Sequence, residues 1–390
     1  MATENNNKTL NVPNLRFPEF SGEWDRIKVS DLIEFYPTNS LSWEQLDYSG
    51  EGIFNLHYGL IHKGLPTQVD VSENELPTIK DEYVPKKLSL CQNGDVAFAD
   101  ASEDTNDVAK CIEFANCDEQ KIVCGLHTIH GRDAHNKTVT GFKGYAFSAR
   151  AFREQIRRLA QGTKIYSISS GNFSECYIGI PSKEEQCKIA NLLLAVDQRI
   201  ATQIKIIEKL ESLIKGLCQK LTQQGNPNTA LNEALVCYSS TLQESAVQET
   251  GDYPVYGATG VCGYMDVPEV DGDSILIIKD GASVGVTYYA SGRYSAIGTL
   301  NRLVAKREYS LRYLYYCLKV FNFAPYRTGL AIPHIYFRDY GKAKVWCPSL
   351  DEQQRIADAL SKIEQKITIE KSLLEQLYSQ KRFLLQSMFI

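Results

Sequence analysis

The segment Pro181–Ala190, PSKEEQCKIA, is repeated 167 residues later at Pro348–Ala357 as PSLDEQQRIA. The match continues without a gap, so that Leu193 aligns with Leu360. The same shift aligns four positions upstream, pairing Gly162, Ile165, Ile168 and Phe173 with Gly329, Ile332, Ile335 and Tyr340. Chance does not preserve identities at one fixed spacing over so many positions, so the chain contains two related halves.

Each copy of the repeat begins with a helix start signal. Ser182 and Ser349 follow a proline, and Glu185 and Glu352 come three residues later, which predicts a capping box. Apolar residues then recur every three or four positions, at Ile189, Leu193, Val196, Ile200, Ile204, Ile207, Leu210, Ile214, Leu217 and Leu221. The second copy has Ile356, Leu360, Ile363, Ile367, Leu374, Leu377, Leu384 and Met388, with the polar Lys371 and Lys381 between them. We predict two helices of roughly 58 Å that pair as an antiparallel coiled coil with pseudo-twofold symmetry.

The remaining sequence predicts two mixed α/β or α+β domains. Residues 274–279 form an apolar run typical of a buried strand, and residues 311–321 have a helical pattern. We therefore divide the chain into a globular domain at 1–180, a long helix at 181–224, a second globular domain at 225–347 and a long helix at 348–390.

Composition limits the class of protein. The 390 residues include eleven cysteines without a C-x-x-C pair, and residues 1–10 are polar, unlike a signal peptide. No stretch reaches the roughly 18 apolar residues that span a bilayer. We expect a reduced, cytoplasmic protein with no membrane association.

The net charge of -5 conceals two basic windows. Residues 1–120 hold 9 Lys and Arg against 22 Asp and Glu, whereas residues 121–180 hold 9 against 3. The window shifted by the repeat, 288–347, holds 10 against 2. Two equivalent basic segments in an acidic chain are typical of two surfaces that face phosphates, although solvated surface charge is the alternative.

With these features the chain resembles the specificity subunits of type I restriction-modification systems. The resemblance is carried by the PSxxEQxxIA helix starts, by FPEFSGEW at 17–24, and by YGATG at 256–260 and KDGAS at 279–283. It implies two target-recognition domains that each read one half of an asymmetric bipartite DNA site, and helices that set the spacing. Two modification subunits with S-adenosylmethionine and restriction subunits with ATP and Mg²⁺ would bind this chain, which would itself have no catalytic activity and no cofactor.

The candidate contacts fall into two groups. Groups able to hydrogen-bond to bases or phosphates are His57, Tyr58, His62, Lys63, Lys137, Lys143 and Lys164 in the first domain, and Tyr256, Thr259, Lys279, Ser283, Arg293, Asn301 and Arg327 in the second. The predicted partner-docking and seam residues are Glu185, Gln186, Ile189, Leu193, Ile200, Glu352, Gln353, Ile356, Leu360 and Ile367.

Other functions remain open at this point. There is no Pro-Pro methyltransferase motif and no G-x-x-x-x-G-K-[ST] phosphate loop, and the Gly257-x-x-Gly260-x-x-Gly263 run predicts a tight turn more than a nucleotide site. A protein scaffold without DNA binding is one alternative. A metal-dependent nuclease is another alternative, and its candidate residues are Asp100, Glu103, Asp104, Asp107 and Lys110. A zinc site is conceivable at Cys124, His127, His130 and His135, although we expect no metal.

Overall fold

The computed structural model describes residues 10–117, 119–329 and 331–390, so most of the polar N-terminal stretch at residues 1–10 lies outside it. Within the described part, no helix is long and apolar enough to span a membrane. The chain divides into two compact units. Unit 1 comprises residues 1–203 and 374–390, and unit 2 comprises residues 204–373.

Unit 1 is built on short strands. They are β1 Asp25–Lys28, β2 Glu34–Tyr36, β3 Leu46–Asp47, β4 Ile53–Leu56, β5 Gln68–Asp70, β6 Thr78–Ile79, β7 Val96–Ala99, β8 Ala101–Ser102, β9 Cys111–Ala115, β10 Lys121–Cys124, β11 Thr128–Arg132, β12 Tyr166–Ser167 and β13 Tyr177–Ile180. One sheet has the order β2-β11-β7-β9-β5 and another has β10-β4-β6-β3, with two-stranded ladders β1-β13 and β12-β8. The pairs β4-β10 and β5-β9 are parallel, so the fold is mixed as predicted.

Five short helices complete the globular part of unit 1: α1 Val29–Leu32, α2 Tyr58–Lys63, α3 Phe142–Ser148, α4 Arg150–Leu159 and α5 Ser170–Ser174. Four buried rings pack edge to face or tilted where α3, α4 and α5 meet β7. They belong to Phe98, Phe147, Phe152 and Phe173. Burial of such rings contributes strongly to the core because each removes a large apolar area from water.

The first long helix, α6, extends over Lys183–Thr222. Ser182 Oγ accepts a hydrogen bond from the Glu185 amide at 3.3 Å, which confirms the serine half of the predicted capping box. The Glu185 carboxylate, however, makes a two-point ion pair with Arg16, at 2.8 and 2.7 Å. A bidentate ion pair is a stronger interaction than a hydrogen bond to one backbone amide, so the contact with Arg16 replaces the glutamate half of the predicted capping box.

Unit 2 has ten strands: β14 Thr229–Ala230, β15 Leu235–Ser239, β16 Tyr253–Gly257, β17 Gly260–Met265, β18 Val270–Asp271, β19 Ser274–Ile278, β20 Thr287–Ala290, β21 Arg293–Ala296, β22 Leu300–Ala305 and β23 Lys344–Val345. They form sheets ordered β15-β22-β19-β20 and β17-β16-β21-β18, and a β14-β23 ladder. The helices are α7 Leu231–Ala234, α8 Leu311–Lys319 and α9 Phe337–Tyr340. Strand β19 is buried at every position because helix α8 and the long helices cover one face, and a second cluster that includes Tyr294 and Ala296 of β21 covers the other.

The second long helix, α10, extends over Leu350–Ser387. In unit 2 its first half packs on the last half of α6 through Ile214, Cys218, Ile356, Leu360 and Ile367. In unit 1 its end lies beside the start of α6. The predicted antiparallel pairing is therefore confirmed. Met388 is buried, but it lies beyond the last residue of the helix.

The two polar residues in the α10 seam are paired across the helices. Lys371 contacts Glu211 at 2.6 Å within unit 2, and Lys381 contacts Asp197 at 2.6 Å within unit 1. The seam of α6 also contains a buried glutamine, Gln203, which the apolar pattern omitted. Polar seam positions of this kind select a pairing register at some cost in stability.

The upstream part of the repeat also has an equivalent structure in both units. Gln161 forms an antiparallel β-bridge with Ser167, and Thr328 forms one with His334. Each unit therefore has a small hairpin, and the two hairpins are 167 residues apart in the sequence. A glycine in the left-handed region begins each turn, where an added Cβ would meet a backbone carbonyl oxygen at 1.9 or 2.3 Å. The repeat therefore reaches beyond the helices into the globular parts.

Candidate nucleic-acid interface

The glutamine of the repeat fastens each long helix to its own globular part. Gln186 and Gln353 are both buried, and the Nε2 of each donates to the carbonyl of the proline before its helix at 2.9 Å. Oε1 of Gln186 accepts from the Val139 amide at 2.9 Å, and Oε1 of Gln353 accepts from the Ser310 amide at 2.9 Å. The two donating amides lie just before α3 in unit 1 and α8 in unit 2. The same kind of contact therefore joins the long helix to the globular part in both units.

An acidic residue eleven positions further along each helix makes a second equivalent contact. The Tyr145 hydroxyl of α3 donates to Asp197 at 3.0 Å, and the Tyr316 hydroxyl of α8 donates to Glu364 at 3.0 Å. Glu364 also receives Lys319 Nζ at 2.6 Å. Burial raises the pKa of Glu364, but the hydrogen bonds from Lys319 and the tyrosine outweigh it and hold that pKa below its usual value.

The side chains predicted to form the seam or dock partners are mostly inaccessible. Nine of them are buried: Glu185, Gln186, Ile189, Leu193, Ile200, Gln353, Ile356, Leu360 and Ile367. Glu352 is partly exposed and pairs with Arg355 on its own helix. These residues join each helix to its unit and to the other helix, so a partner protein would have to contact different residues.

In unit 1, four of the predicted DNA contacts meet in one group around Trp43, which we name the aromatic–histidine cluster. The rings of Trp43 and His57 are 4.3 Å apart, and those of His57 and Tyr58 are 4.8 Å apart. Lys63 Nζ lies 5.5 Å from the centre of the Trp43 ring, and His62 meets Tyr58 edge to face at 5.8 Å. His57 is buried and caps α2, whereas Trp43 and Lys63 are exposed.

His127 extends this cluster and was not among the predicted DNA contacts. Its ring meets Tyr58 at 5.2 Å, and its Nδ1 lies 3.2 Å from Asp100 Oδ1. It is one of four non-glycine residues described with a positive φ, at 55°. A strained backbone at an exposed polar side chain is a feature of functional sites. The pKa of His57 is lowered by burial and by the nearby charges of His127 and Lys63.

The other predicted contacts of unit 1 are dispersed. Lys164 is exposed on the hairpin, and Lys137 Nζ donates to the Asp31 carbonyl at 3.2 Å. Lys143 is buried and contacts Glu113 at 3.0 Å inside the unit. An ammonium group held there cannot reach a phosphate, so Lys143 is a structural residue.

Two more cations of the first basic window are internal. Arg132 makes a bidentate pair with Asp95 at 2.8 and 2.7 Å, and Arg153 is buried beside the Asn106 carbonyl. Burial lowers the pKa of Arg153 to about 10. The net charge of this window therefore overstates the positive charge available at the surface.

In unit 2 the predicted residues differ widely in exposure. Arg293, Arg327, Thr259 and Ser283 are exposed, with Thr259 at the turn between β16 and β17. Lys279 and Tyr256 are partly buried. Asn301 is buried in β22, where its Oδ1 accepts from Ser239 Oγ at 2.9 Å. The structure thus brings no single cluster together from these seven residues.

Arginines stacked on tyrosines recur in unit 2: Arg293 was among the predicted contacts, whereas the half-buried Arg302 and the exposed Arg338 were not. Arg302 lies 4.3 Å from the centre of the Tyr238 ring on the neighbouring strand, and Arg338 lies 4.8 Å from the Tyr336 ring. Arg293 lies 4.4 Å from the ring of Tyr253. The sequence signal was the density of Tyr and Arg in this domain. Strand pairing brings Arg302 to Tyr238 and Arg293 to Tyr253, whereas Arg338 and Tyr336 are two positions apart in the chain.

The enzymatic alternatives receive no support from these positions. Asp100 contacts His127, and Asp104 closes a turn by accepting from the Asn106 amide at 2.8 Å. Across the described ranges, the one group of three metal-ligating side chains found together is Cys91, Cys124 and His130, not the acidic residues. The glycine run forms the β16–β17 hairpin, with Gly260 as the first residue of β17 at a φ of 105°.

The predicted zinc residues divide in the structure. Cys124 and His130 are buried near each other, while His127 is held at Asp100 and His135 is exposed. The Cys-x-x-His-x-x-His residues do not come together as one ligand set, because His127 lies just before β11 with its exposed ring at Asp100, whereas Cys124 and His130 are buried. Cys91, 33 residues earlier, occupies the place that the histidines were expected to fill.

Comparison with known proteins places this architecture in a family. The sequence profile described as type I restriction modification DNA specificity domain matches residues 67–212 and 238–379, more than half of the chain. A putative type I restriction enzyme specificity subunit from Haemophilus influenzae is 28% identical over 89 residues, 22% of this chain and 23% of the relative. The EcoprrI specificity subunit of Escherichia coli is 25% identical over 128 residues, 33% of this chain and 31% of the relative. The matched segments thus span less than a third of those relatives.

Solved structures extend the likeness to nearly the whole chain. The crystal structure of a type-I restriction-modification system S subunit from M. genitalium has a TM-score of 0.62 and 19% identity, with 97% of this chain and 99% of that chain covered. A chain from a structure on complex assembly and conformational transition of the type I R-M system has a TM-score of 0.56 and 15% identity, with 93% and 96% covered. The two profile matches, one in each half, establish that this chain belongs to the type I restriction-modification DNA specificity family.

Proposed function

We propose that this chain is the non-catalytic specificity subunit of a type I restriction-modification complex, and that each unit reads one half of an asymmetric, two-part DNA target. On this proposal α6 and α10 set the spacing between the halves and bind two modification subunits. Methylation with S-adenosylmethionine, and ATP- and Mg²⁺-dependent restriction, belong to partner subunits in the cytoplasm.

The observation that carries the proposal is that an equivalent buried glutamine joins each long helix to a different globular part. Gln186 and Gln353 share two equivalent hydrogen bonds, one to the preceding proline and one from a backbone amide, and Gln186 also donates to the Lys137 carbonyl at 3.1 Å. The strands above them differ in number and order, with a five-stranded sheet in unit 1 and two four-stranded sheets in unit 2. Similar helix anchors beneath globular parts with different sheets favour two domains that recognise two different DNA sequences.

The exposed chemistry of each unit suits DNA. Arginine and lysine neutralise phosphates and pair with guanine, and aromatic rings hold guanidinium groups in place through cation–π contacts. Unit 1 offers Lys63 on Trp43 within the aromatic–histidine cluster. Unit 2 offers Arg302 on Tyr238 and Arg293 on Tyr253. A stacked arginine loses less conformational entropy on binding than a mobile one, which favours specific contacts.

The outer faces of α6 and α10 carry apolar side chains that partner subunits could bind. Large apolar residues stand exposed on α6 and α10: Ile206, Leu213, Ile369, Tyr378 and Phe383. Leu213, Ile369 and Phe383 are 49%, 61% and 59% exposed, more than a helix in water normally tolerates at repeated positions. We propose that the modification subunits cover these residues rather than the buried Glu-Gln motif.

The test is selective DNA retention by the chain assembled with its modification subunits. DNA retained from a random pool should contain two fixed blocks separated by a gap of constant length. The variant Lys63→Ala should weaken discrimination within one block and Arg302→Ala within the other, by about 1–3 kcal/mol for each lost base contact. Arg355→Ala, which removes an exposed arginine of α10, is the matched control and should change neither block. Retention without sequence preference would refute the proposal.

A further inference from the structure

Unit 1 holds a compact group of three metal-ligating side chains away from the aromatic–histidine cluster. Cys91, Cys124 and His130 are 5%, 1% and 0% exposed. The Sγ atoms of the cysteines are 3.7 Å apart, and one donor atom from each of the three residues lies within 4.8 Å of the others. Thiolate sulfur and imidazole nitrogen are the ligands that Zn²⁺ prefers.

The backbone fixes all three positions. The Cys91 amide donates to the Ile122 carbonyl of β10 at 2.8 Å, and Cys124 is the last residue of that strand. His130 lies in the middle of β11, between β2 and β7. The two cysteines thus come from one edge of the sheet β10-β4-β6-β3, whereas the histidine comes from the other main sheet of unit 1.

His130 is oriented as a metal-binding histidine is. Its Nε2 lies 2.8 Å from Asp95 Oδ2, and Asp95 is held in turn by the bidentate pair with Arg132. Its Nδ1 is buried and has no nitrogen or oxygen partner among the described residues, and the Cys91 thiol interacts with the His130 side chain. A carboxylate on one ring nitrogen fixes the tautomer that leaves the other nitrogen as a ligand. A thiol is only a weak hydrogen-bonding group, so a metal ion would satisfy this buried nitrogen better.

We propose that Cys91, Cys124 and Nδ1 of His130 bind one Zn²⁺ ion that joins the two main sheets of unit 1. Binding would release the two thiol protons to solvent, while the imidazole keeps its Nε2 proton toward Asp95. Two thiolates balance the 2+ charge, so the centre is neutral and suits a buried position. Water would complete the fourth position, and Cys124 borders a cavity of about 650 Å³.

The test uses the full-length chain, purified without chelator, equilibrated with Zn²⁺ and freed of loose metal. Elemental analysis should give one zinc per chain, and replacement by Co²⁺ should give a thiolate-to-cobalt absorption band. Cys91→Ser, Cys124→Ser and His130→Gln should each abolish the band. Cys111→Ser is the matched control, because Cys111 is a buried thiol of β9, which β7 separates from β11, and should leave zinc content unchanged.

Measurements on the wild-type chain test the zinc site even if a variant does not fold. Mercurial titration of its thiols should release zinc in step with two cysteines, and a chelator should lower its thermal midpoint. Wild-type protein that retains no zinc and gives no cobalt band would overturn the proposal. So would peptide mapping that finds Cys91 and Cys124 joined as a disulfide in protein kept under reducing conditions.

Discussion

If the long helices set the spacing, lengthening both of them should lengthen the gap in the DNA target. The natural place for an insertion is the boundary between the two compact units, after Gln203 in α6 and after Leu373 in α10. Asp197 with Lys381 in unit 1 and Glu211 with Lys371 in unit 2 show that the helices are antiparallel within each unit. Four residues added at both points keep the helices in register with one another.

The size of the effect follows from helix and DNA geometry. Four residues add about 6 Å of helix, close to two base-pair steps of about 3.4 Å. The insertion also turns the helix by about 40°, whereas two base pairs turn the duplex by about 70° at 10–10.5 base pairs per turn. The difference of about 30° must be absorbed by DNA deformation, so we expect a gap that is one or two base pairs longer.

The assay is sequencing of the DNA that the purified complex retains from a random pool. Both half-sites should remain as in the wild type while the gap increases. Insertion into only one helix is the control, because it breaks the seam and should abolish selective retention without giving a new gap. An unchanged gap, or altered half-sites, in the double insertion would refute the proposed role of the helices.

Three further predictions concern stability, measured by denaturant unfolding. Lys143→Ala leaves its buried carboxylate partner without a counter-charge and should cost about 3–5 kcal/mol, whereas a loss below about 1 kcal/mol would contradict the internal ion pair. Gln186→Leu and Gln353→Leu each leave a backbone amide unpaired and should cost about 1–3 kcal/mol, and no measurable loss in either variant would argue against that anchor. Since the folded-state pKa of Glu364 is lowered, its contribution to stability is present above the unfolded-state pKa of about 4.3 and disappears as the pH falls through the folded-state value. Glu364→Gln should therefore flatten the loss of stability below about pH 5, and an identical acid profile would refute this.

The helices were predictable because their signals are local. Ser182 and the apolar spacing place the start of α6 within a residue or two of Lys183, and an apolar seam without proline ensures its length. The role of Gln186 was not predictable, since its partner Val139 is brought near only by the tertiary fold. A repeated polar residue invites a functional interpretation, but here it satisfies buried backbone groups.

Surface sites were predictable only in part, because exposure is not encoded by residue type. Lys63 and Lys143 look alike in the sequence, yet one lies on an exposed ring and the other in a buried ion pair. Arg302 and Tyr238 are 64 positions apart and become neighbours only through the β15–β22 ladder. Likewise, the spacing that suggested a zinc site named two of its three members and missed Cys91.

The most direct test of the central claim is a genome-wide map of methylated adenines in cells that express this chain with its modification subunits. The account predicts one motif made of two different short blocks, methylated on both strands and separated by a gap of fixed length and unrestricted sequence. Exchange of residues 204–373 for the same segment of a relative should then change one block alone. A single continuous motif, two identical blocks, or no methylation dependent on this chain would contradict it.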